Sequence, residues 1–218
     1  MFKFIIGLPV LALSLSLYGQ QGNFSFGVQG GPMFATIKQD PDLLDPKFRT
    51  AFFAGANARF AFGKHWAVQG DVQFSQRGYQ YNTPGTPIIL NGQLAIYKGR
   101  IDQKISYVDV ITQVEFRPVK YIGISVGPYV SWKVGEAVRY GDVVGWTKID
   151  DELSLVKDVD FGASAKLSGH FGPATLFVSW MHGLIETSMI SLSDENGTSL
   201  GWLTTKSRAL AVGAGYSF

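Results

Sequence analysis

The chain has 218 residues, no cysteine, 17% charged residues and a formal net charge of +2. These values exclude a disulfide framework and a thiolate metal site, and they leave no strongly basic surface to bind nucleic acid. Glycine (26 residues) and aromatics (14%) are abundant, which suits strands with small inward residues and aromatic girdles.

Residues 1–19 read as a secretory signal removed on export. Lys3 supplies the positive start, Phe4 to Leu17 the apolar stretch, and Gly19 the small residue before a cut at Gln20. Leu17, at the −3 position, is larger than ideal. The alternative is an N-terminal anchor, but the apolar run is shorter than the roughly 20 residues a spanning helix needs. Residues 20–218 are then one domain, with no other stretch long enough for a transmembrane helix.

Period-two alternation marks strands, because successive side chains point to opposite faces. Residues 23–37 open the pattern, with Phe24, Phe26 and Val28 opposite Ser25, Gly27, Gln29 and Gly31. Residues 38–49 break it with Asp40-Pro41 and Asp45-Pro46, which is loop chemistry. Residues 50–62 resume, with Phe52, Phe60 and Phe62 on one face and Phe53, Asn57 and Arg59 on the other. Gly63-Lys64 turns the chain.

Residues 66–77 set Trp66, Val68, Val72 and Phe74 against Gln69, Asp71, Gln73, Ser75 and Arg77. Residues 78–103, rich in Gly, Pro, Asn and Tyr, read as a long loop. Residues 104–117 send Val108, Val110, Val114 and Phe116 outward and Asp109, Gln113, Glu115 and Arg117 inward. After a turn at 118–120, residues 121–134 place Ile122, Ile124, Val126, Val130 and Trp132 opposite Tyr129, Ser131 and Lys133. Residues 135–157 read as an acidic loop.

Residues 158–169 alternate Val159, Phe161 and Leu167 with Asp160, Ser164 and Lys166. A short turn at 170–173 leads to residues 174–184, with Leu176, Val178 and Trp180 on one face. Residues 185–203 form the fourth long connection. The last strand, residues 204–218, carries Leu210, Val212, Ala214, Tyr216 and Phe218 opposite a small, polar face.

Eight strands joined alternately by four long loops and three short turns describe an all-β, eight-stranded antiparallel transmembrane up-and-down β-barrel. A closed ring is required because no open edge is tolerated in lipid. A soluble sandwich or lipocalin-like barrel would bury the apolar face inward instead. The export signal, aromatic strand ends, terminal Phe218 and loop asymmetry favour the membrane barrel. Its location is then the outer membrane of a Gram-negative cell, its surroundings outer-membrane lipid, and its C-terminal insertion signal Tyr216 and Phe218, read by the barrel-insertion machinery.

Several short pieces, in order, carry a family resemblance: Phe26-Gly27-Val28, Phe74 with Arg77-Gly78-Tyr79, Tyr107-Val108-Asp109-Val110, Val126-Gly127-Pro128-Tyr129-Val130, Asp160-Phe161-Gly162, and the Gly213, Gly215, Phe218 ending. Nearly end to end, the mature chain resembles the PorT-like outer-membrane barrels of Bacteroidetes-type bacteria. Ile111 stands where that family often has Pro. The resemblance implies an eight-stranded barrel without enzymatic activity. It also implies a link, through the name-giving member, to type IX secretion and gliding.

By parity, Arg59, Asp71, Arg77, Asp109, Glu115, Arg117, Lys133, Asp160 and Lys166 point into the lumen. An eight-stranded lumen is only wide enough for side chains to fill. Five basic and four acidic groups can nearly neutralise one another as a plug of ion pairs, which is favoured over a solute pore or proton path.

His65 and His170 fall at turns and His182 near the other end of its strand. None is expected beside a nucleophile or carboxylate, so neither catalysis nor a metal site is expected, and no cofactor. Tyr79, Tyr81, Tyr97, Tyr140 and Trp146 are expected on exposed loops, as contacts for other envelope or secretion proteins. Trp132, Trp180 and Trp202 fit an interfacial girdle. Asp142, Asp150, Asp151 and Glu152 lack the spacing of a calcium loop. Asn196-Gly197-Thr198 matches a glycosylation sequon, which carries little meaning in a bacterial protein. Gly27-Val28-Gln29-Gly30-Gly31 has no following helix and is not a nucleotide loop.

Three roles follow for a non-enzymatic barrel: a scaffold working with partners in secretion or envelope assembly, a narrow passive channel, or loop-mediated ligand binding and adhesion.

Overall fold

The computed structural model describes residues 24–40, 46–90, 93–141, 144–149, 154, 156–193 and 199–218. The expected export signal, the 142–152 acidic group, the 196–198 sequon and the Trp202 side chain lie outside the described residues.

Among the described residues, ten strands follow in chain order: β1 (Phe24–Asp40), β2 (Lys47–Phe62), β3 (Trp66–Leu90), β4 (Gln93–Val119), β5 (Ile122–Tyr140), β6 (Val144–Lys148), β7 (Val159–Phe171), β8 (Ala174–Gly183), β9 (Ser188–Ser193) and β10 (Ser199–Ser217). Eight of them form a ring, β1-β2-β3-β4-β5-β7-β8-β10, closed by antiparallel pairing of β10 with β1. Gly27 stands opposite Ser217 and Asp40 opposite Thr204, so neither terminal strand leaves a free edge. The other two strands pair beyond the ring, β6 on β5 and β9 on β10.

At one end the strands are joined by tight turns. Gly63 (φ 81°) and Gly172 (φ 66°) supply the left-handed backbone two of them need. The other end carries the long connections. There the expectation of a loop at 78–103 is corrected: β3 and β4 continue as one hairpin, from Trp66 opposite Phe116 out to Leu90 opposite Gln93. Its Gly, Pro and Asn content reads as loop chemistry, but the ladder closes around one irregularity between Thr83 and Thr86. Similarly, β5 runs to Tyr140 and receives β6, inside a segment read as an acidic loop.

The two faces settle the choice between a soluble and a membrane barrel. Val72 is 55% exposed while its neighbour Asp71 is 1% exposed, and Asp109 and Asp160 are wholly buried. Phe60, Trp66, Ile124, Leu167, Leu176 and Phe218 likewise stand on the outside. Charge inside and hydrocarbon outside reverses the order that water imposes. It is the order lipid imposes. Aromatic pairs mark the turn-end margin, among them Trp66 with Phe116 (4.7 Å between ring centroids) and Tyr216 with Phe218 (5.5 Å). Both residues of the expected insertion signal therefore lie on the lipid face at the closing strand.

Candidate functional site

The lumen is filled in layers, and the ion pairs of Arg59, Asp71, Arg77, Asp109, Glu115, Arg117, Lys133, Asp160 and Lys166 lie among its side chains. Its centre is Arg77, 2% exposed, reaching from β3 across to β4 and β7. Nη2 donates to Asp109 Oδ1 at 2.6 Å and to Ser131 Oγ at 3.0 Å, and Nη1 donates to Asp160 Oδ2 at 3.0 Å. Tyr129 Oη donates to the same Asp160 oxygen at 3.0 Å, and Gln73 Nε2 to Asp109 Oδ2 at 3.1 Å. The guanidinium also lies 4.9 Å from the Tyr107 ring centroid and 5.2 Å from that of Tyr129. Two carboxylates, one cation and two ring faces answer the cost of burying each charge.

Beside this knot lies an apolar layer that the parity reading did not anticipate. Met33, Ala35, Phe53, Ile111, Tyr129, Phe177, Met181, Ala209 and Ala211 form one buried cluster. Hydrocarbon and ion pairs thus share the plug, with Phe53 on the inward face that its alternation with Phe52 predicts. Phe53 and Phe177 meet across it, 5.9 Å between centroids. Together with the Arg77 knot they form a cross-section whose members are all 5% exposed or less.

Toward the turn end, Lys166 Nζ donates to Asp71 Oδ2 at 2.8 Å. Below it Glu115 receives three groups: Arg59 Nε at 2.6 Å, Arg117 Nε at 3.0 Å and His170 Nε2 at 3.1 Å. This corrects the expectation that no histidine stands beside a carboxylate. His170, placed at a turn by sequence, is the penultimate residue of β7 and points inward. Ser168 Oγ is 3.0 Å from the same Nε2, while Nδ1 faces Thr175 Oγ1 at 3.2 Å and Arg117 Nη2 at 3.3 Å. The geometry does not compose a catalytic triad, in which acid and serine engage opposite ring nitrogens. Here both engage Nε2. Arg59, Arg117, Lys166, Ser168, His170 and Thr175 line a cavity of about 240 Å³ that reaches Ser25, Asn57, Gln69 and Ser217 at the turn end.

A second polar group sits at the loop end, and sequence reasoning missed most of it. Asp102 accepts from Arg49 Nε at 2.9 Å, and from Arg139 Nη2 and Gln80 Nε2, each at 3.3 Å. Glu136 accepts from Gln103 Nε2 and Ser154 Oγ. Lys133 Nζ reaches Ser154 Oγ at 2.9 Å and Asp158 Oδ1 at 3.0 Å. Arg49, Asp102 and Gln103 lie in segments that read as loops, so no parity was available for them.

The aromatic residues expected as exposed loop contacts divide. Tyr79 and Tyr81 are strand residues of β3, half-buried and stacked at 5.8 Å between centroids. Burial pushes both phenols above the ordinary tyrosine range, with Tyr81 and Glu136 adding to the effect at Tyr79. Tyr97 and Tyr140 meet edge to face at 5.6 Å, beyond the lipid belt. Trp146, 40% exposed on β6, lies near three cations: Lys104 at 4.6 Å, Arg139 at 5.1 Å and Arg49 at 5.4 Å from its ring centroid. Among the described residues no group of three or more His, Asp or Glu side chains is placed to hold a metal ion.

A ring of eight antiparallel strands with lipid-facing hydrocarbon and an ion-paired interior defines a transmembrane β-barrel of the outer-membrane kind. Residues 18–187 match the model of the outer membrane protein beta-barrel domain, and the chain belongs to that family. It is an outer-membrane β-barrel protein. Solved structures to which it is similar include Neisserial surface protein A (TM-score 0.48, 12% identity, covering 90% of this chain and 100% of that one). Others are Ail of Yersinia pestis in complex with the heparin analogue sucrose octasulfate (0.46, 15%, 90% and 100%) and OprG of Pseudomonas aeruginosa (0.46, 11%, 92% and 98%). No curated protein matches the chain.

Proposed function

We propose that this protein is a non-enzymatic scaffold of the outer membrane, its lumen closed to solute, which meets other envelope proteins through its loop-end hairpins. The observation that carries this reading is the fully buried Arg77 knot. A conducting path would have to break its bonds to Asp109, Asp160 and Ser131 and part the apolar layer beside it, leaving charges unpaired at a cost of several kcal/mol.

Partner contact falls to the extension outside the lipid belt, where β3 and β4 rise past Tyr79 and β6 presents Trp146. The PorT-like resemblance supports partners in secretion or envelope assembly of the type IX kind. A half-exposed Trp and paired Tyr rings on a strand-built platform are the residues that anchor interfaces.

Single-channel recording on the purified full chain in planar bilayers tests the closed lumen. The expected result is no steady conductance, and regular unitary steps would replace this reading with the channel. Photocrosslinking from position 97 in native membranes tests the platform. Discrete protein adducts are expected, and their absence with the barrel correctly inserted removes the partner role.

A further inference from the structure

The lipid face of the barrel changes character abruptly on β8, β10 and β1. One row across these strands is apolar: Trp180 opposite Leu210, and Leu210 opposite Phe34. The next row toward the loop end is His182 opposite Arg208, and Arg208 opposite Thr36. One further row out, Lys38 stands directly opposite Lys206. Three basic side chains and a histidine thus gather on neighbouring outward positions at the margin of the belt.

Like charges in directly opposed cross-strand positions destabilise a sheet, so this arrangement needs a counter-charge. The described residues do not supply one. No ion pair joins Lys38, Lys206 or Arg208 to a described carboxylate. Arg208 Nε is buried without a hydrogen-bond partner.

We infer that Lys38, Lys206 and Arg208 form a docking site for the phosphate of an acylated, phosphorylated glycolipid in the outer leaflet. Location selects this occupant over a soluble anion. A ligand here has apolar wall directly beneath it, at Trp180, Leu210 and Phe34, and cations at headgroup height. Only an amphiphile satisfies both: its acyl chains lie on the belt while its phosphate meets the cations. The long-loop end faces outward in barrels of this type, which sets the leaflet. The inference rests on the membrane placement alone and is independent of whether the lumen conducts or the hairpins bind partners.

The test uses the purified full chain with three probes: phosphorylated lipid A, enzymatically dephosphorylated lipid A, and inorganic phosphate. Native mass spectrometry reads lipid retained on the barrel, and heat-dependent gel migration reads stability. Phosphorylated lipid A should remain bound and raise the unfolding temperature, while dephosphorylated lipid A should do neither. The Lys38→Gln/Lys206→Gln/Arg208→Gln variant should weaken retention by on the order of a hundredfold. Without lipid that variant should fold as well as the parent or better, since it removes a repulsion; this separates lost binding from lost folding. As a second handle, retention by the unaltered chain should fall as salt rises. Equal retention of the two lipid A forms, undiminished retention by the triple variant, or equal protection by inorganic phosphate would each overturn the inference.

Discussion

Lys133 and Glu136 both point into the lumen, although strict alternation would put residues three apart on opposite faces. The cause is a bulge between them. Lys133 pairs with Tyr107 while Gly135 pairs with Ser106, so two β5 residues, Val134 and Gly135, span one step of β4. Val134 remains outside, 57% exposed, and the phase of β5 shifts by one residue. Glu136, 4% exposed, then reaches Ser154 and Gln103.

This relationship predicts unequal effects of single-residue deletions in β5. Removing Val134 regularises the ladder and keeps Lys133 and Glu136 both inward, so the folded barrel survives with its heat-dependent gel migration retained. Removing Ser131 forces the flanking residues out of phase and brings the Trp132 indole toward the lumen, and folded protein is lost. If the Val134 deletion is as damaging as the Ser131 deletion, the bulge is not an independent insertion.

Arg77 should be the most sensitive lumen position. Arg77→Ala strands Asp109 and Asp160 together in a buried site, costing about 3–5 kcal/mol. Combining Arg77→Met with Asp109→Asn and Asp160→Asn should recover most of that loss, because no charge remains unpaired. Equilibrium unfolding in urea with lipid vesicles measures both. A triple variant as unstable as the single one would show that packing, not charge, dominates the knot.

Tyr79 gives the hairpin a base-sensitive element. Its phenol ionises above the ordinary tyrosine value, so the neutral form is favoured when folded. Stability from this group is complete below the unfolded pKa of about 10 and is lost as pH rises above it, where the unfolded state releases its proton first. Amide exchange in the outer part of β3 should therefore accelerate above about pH 10 in the parent. Tyr79→Phe should abolish the excess acceleration there while sparing the strands in the lipid belt. An identical pH response in the variant counts against the assignment.

Much of the barrel was legible because lipid enforces a two-residue rhythm. Phe74 out and Ser75 in, Val110 out and Asp109 in, can be read without any tertiary knowledge, and every strand of the ring could be found this way. What escaped did so for physical reasons. Arg49, Asp102 and Gln103 lie in segments where both faces meet water or protein, so polarity stops alternating and strand looks like loop. Glu136 follows a bulge that no composition signals. Phe53 alternates onto the enclosed face, but parity says only that a side chain is enclosed, and it cannot say which enclosed side chains meet to form an apolar layer. His170 was placed at a turn, and only the pairing of β4 and β7 on the two sides of β5 shows that Glu115 comes within reach of it.

The seam between β1 and β10 joins the beginning of the barrel to its end, Gly27 beside Ser217. Until the final residues are delivered, the nascent wall is a curled ribbon with two raw margins, each dangerous in hydrocarbon. Nothing partial is therefore viable: a chain lacking its last dozen residues is not a slightly weaker barrel but a wall that cannot be sealed.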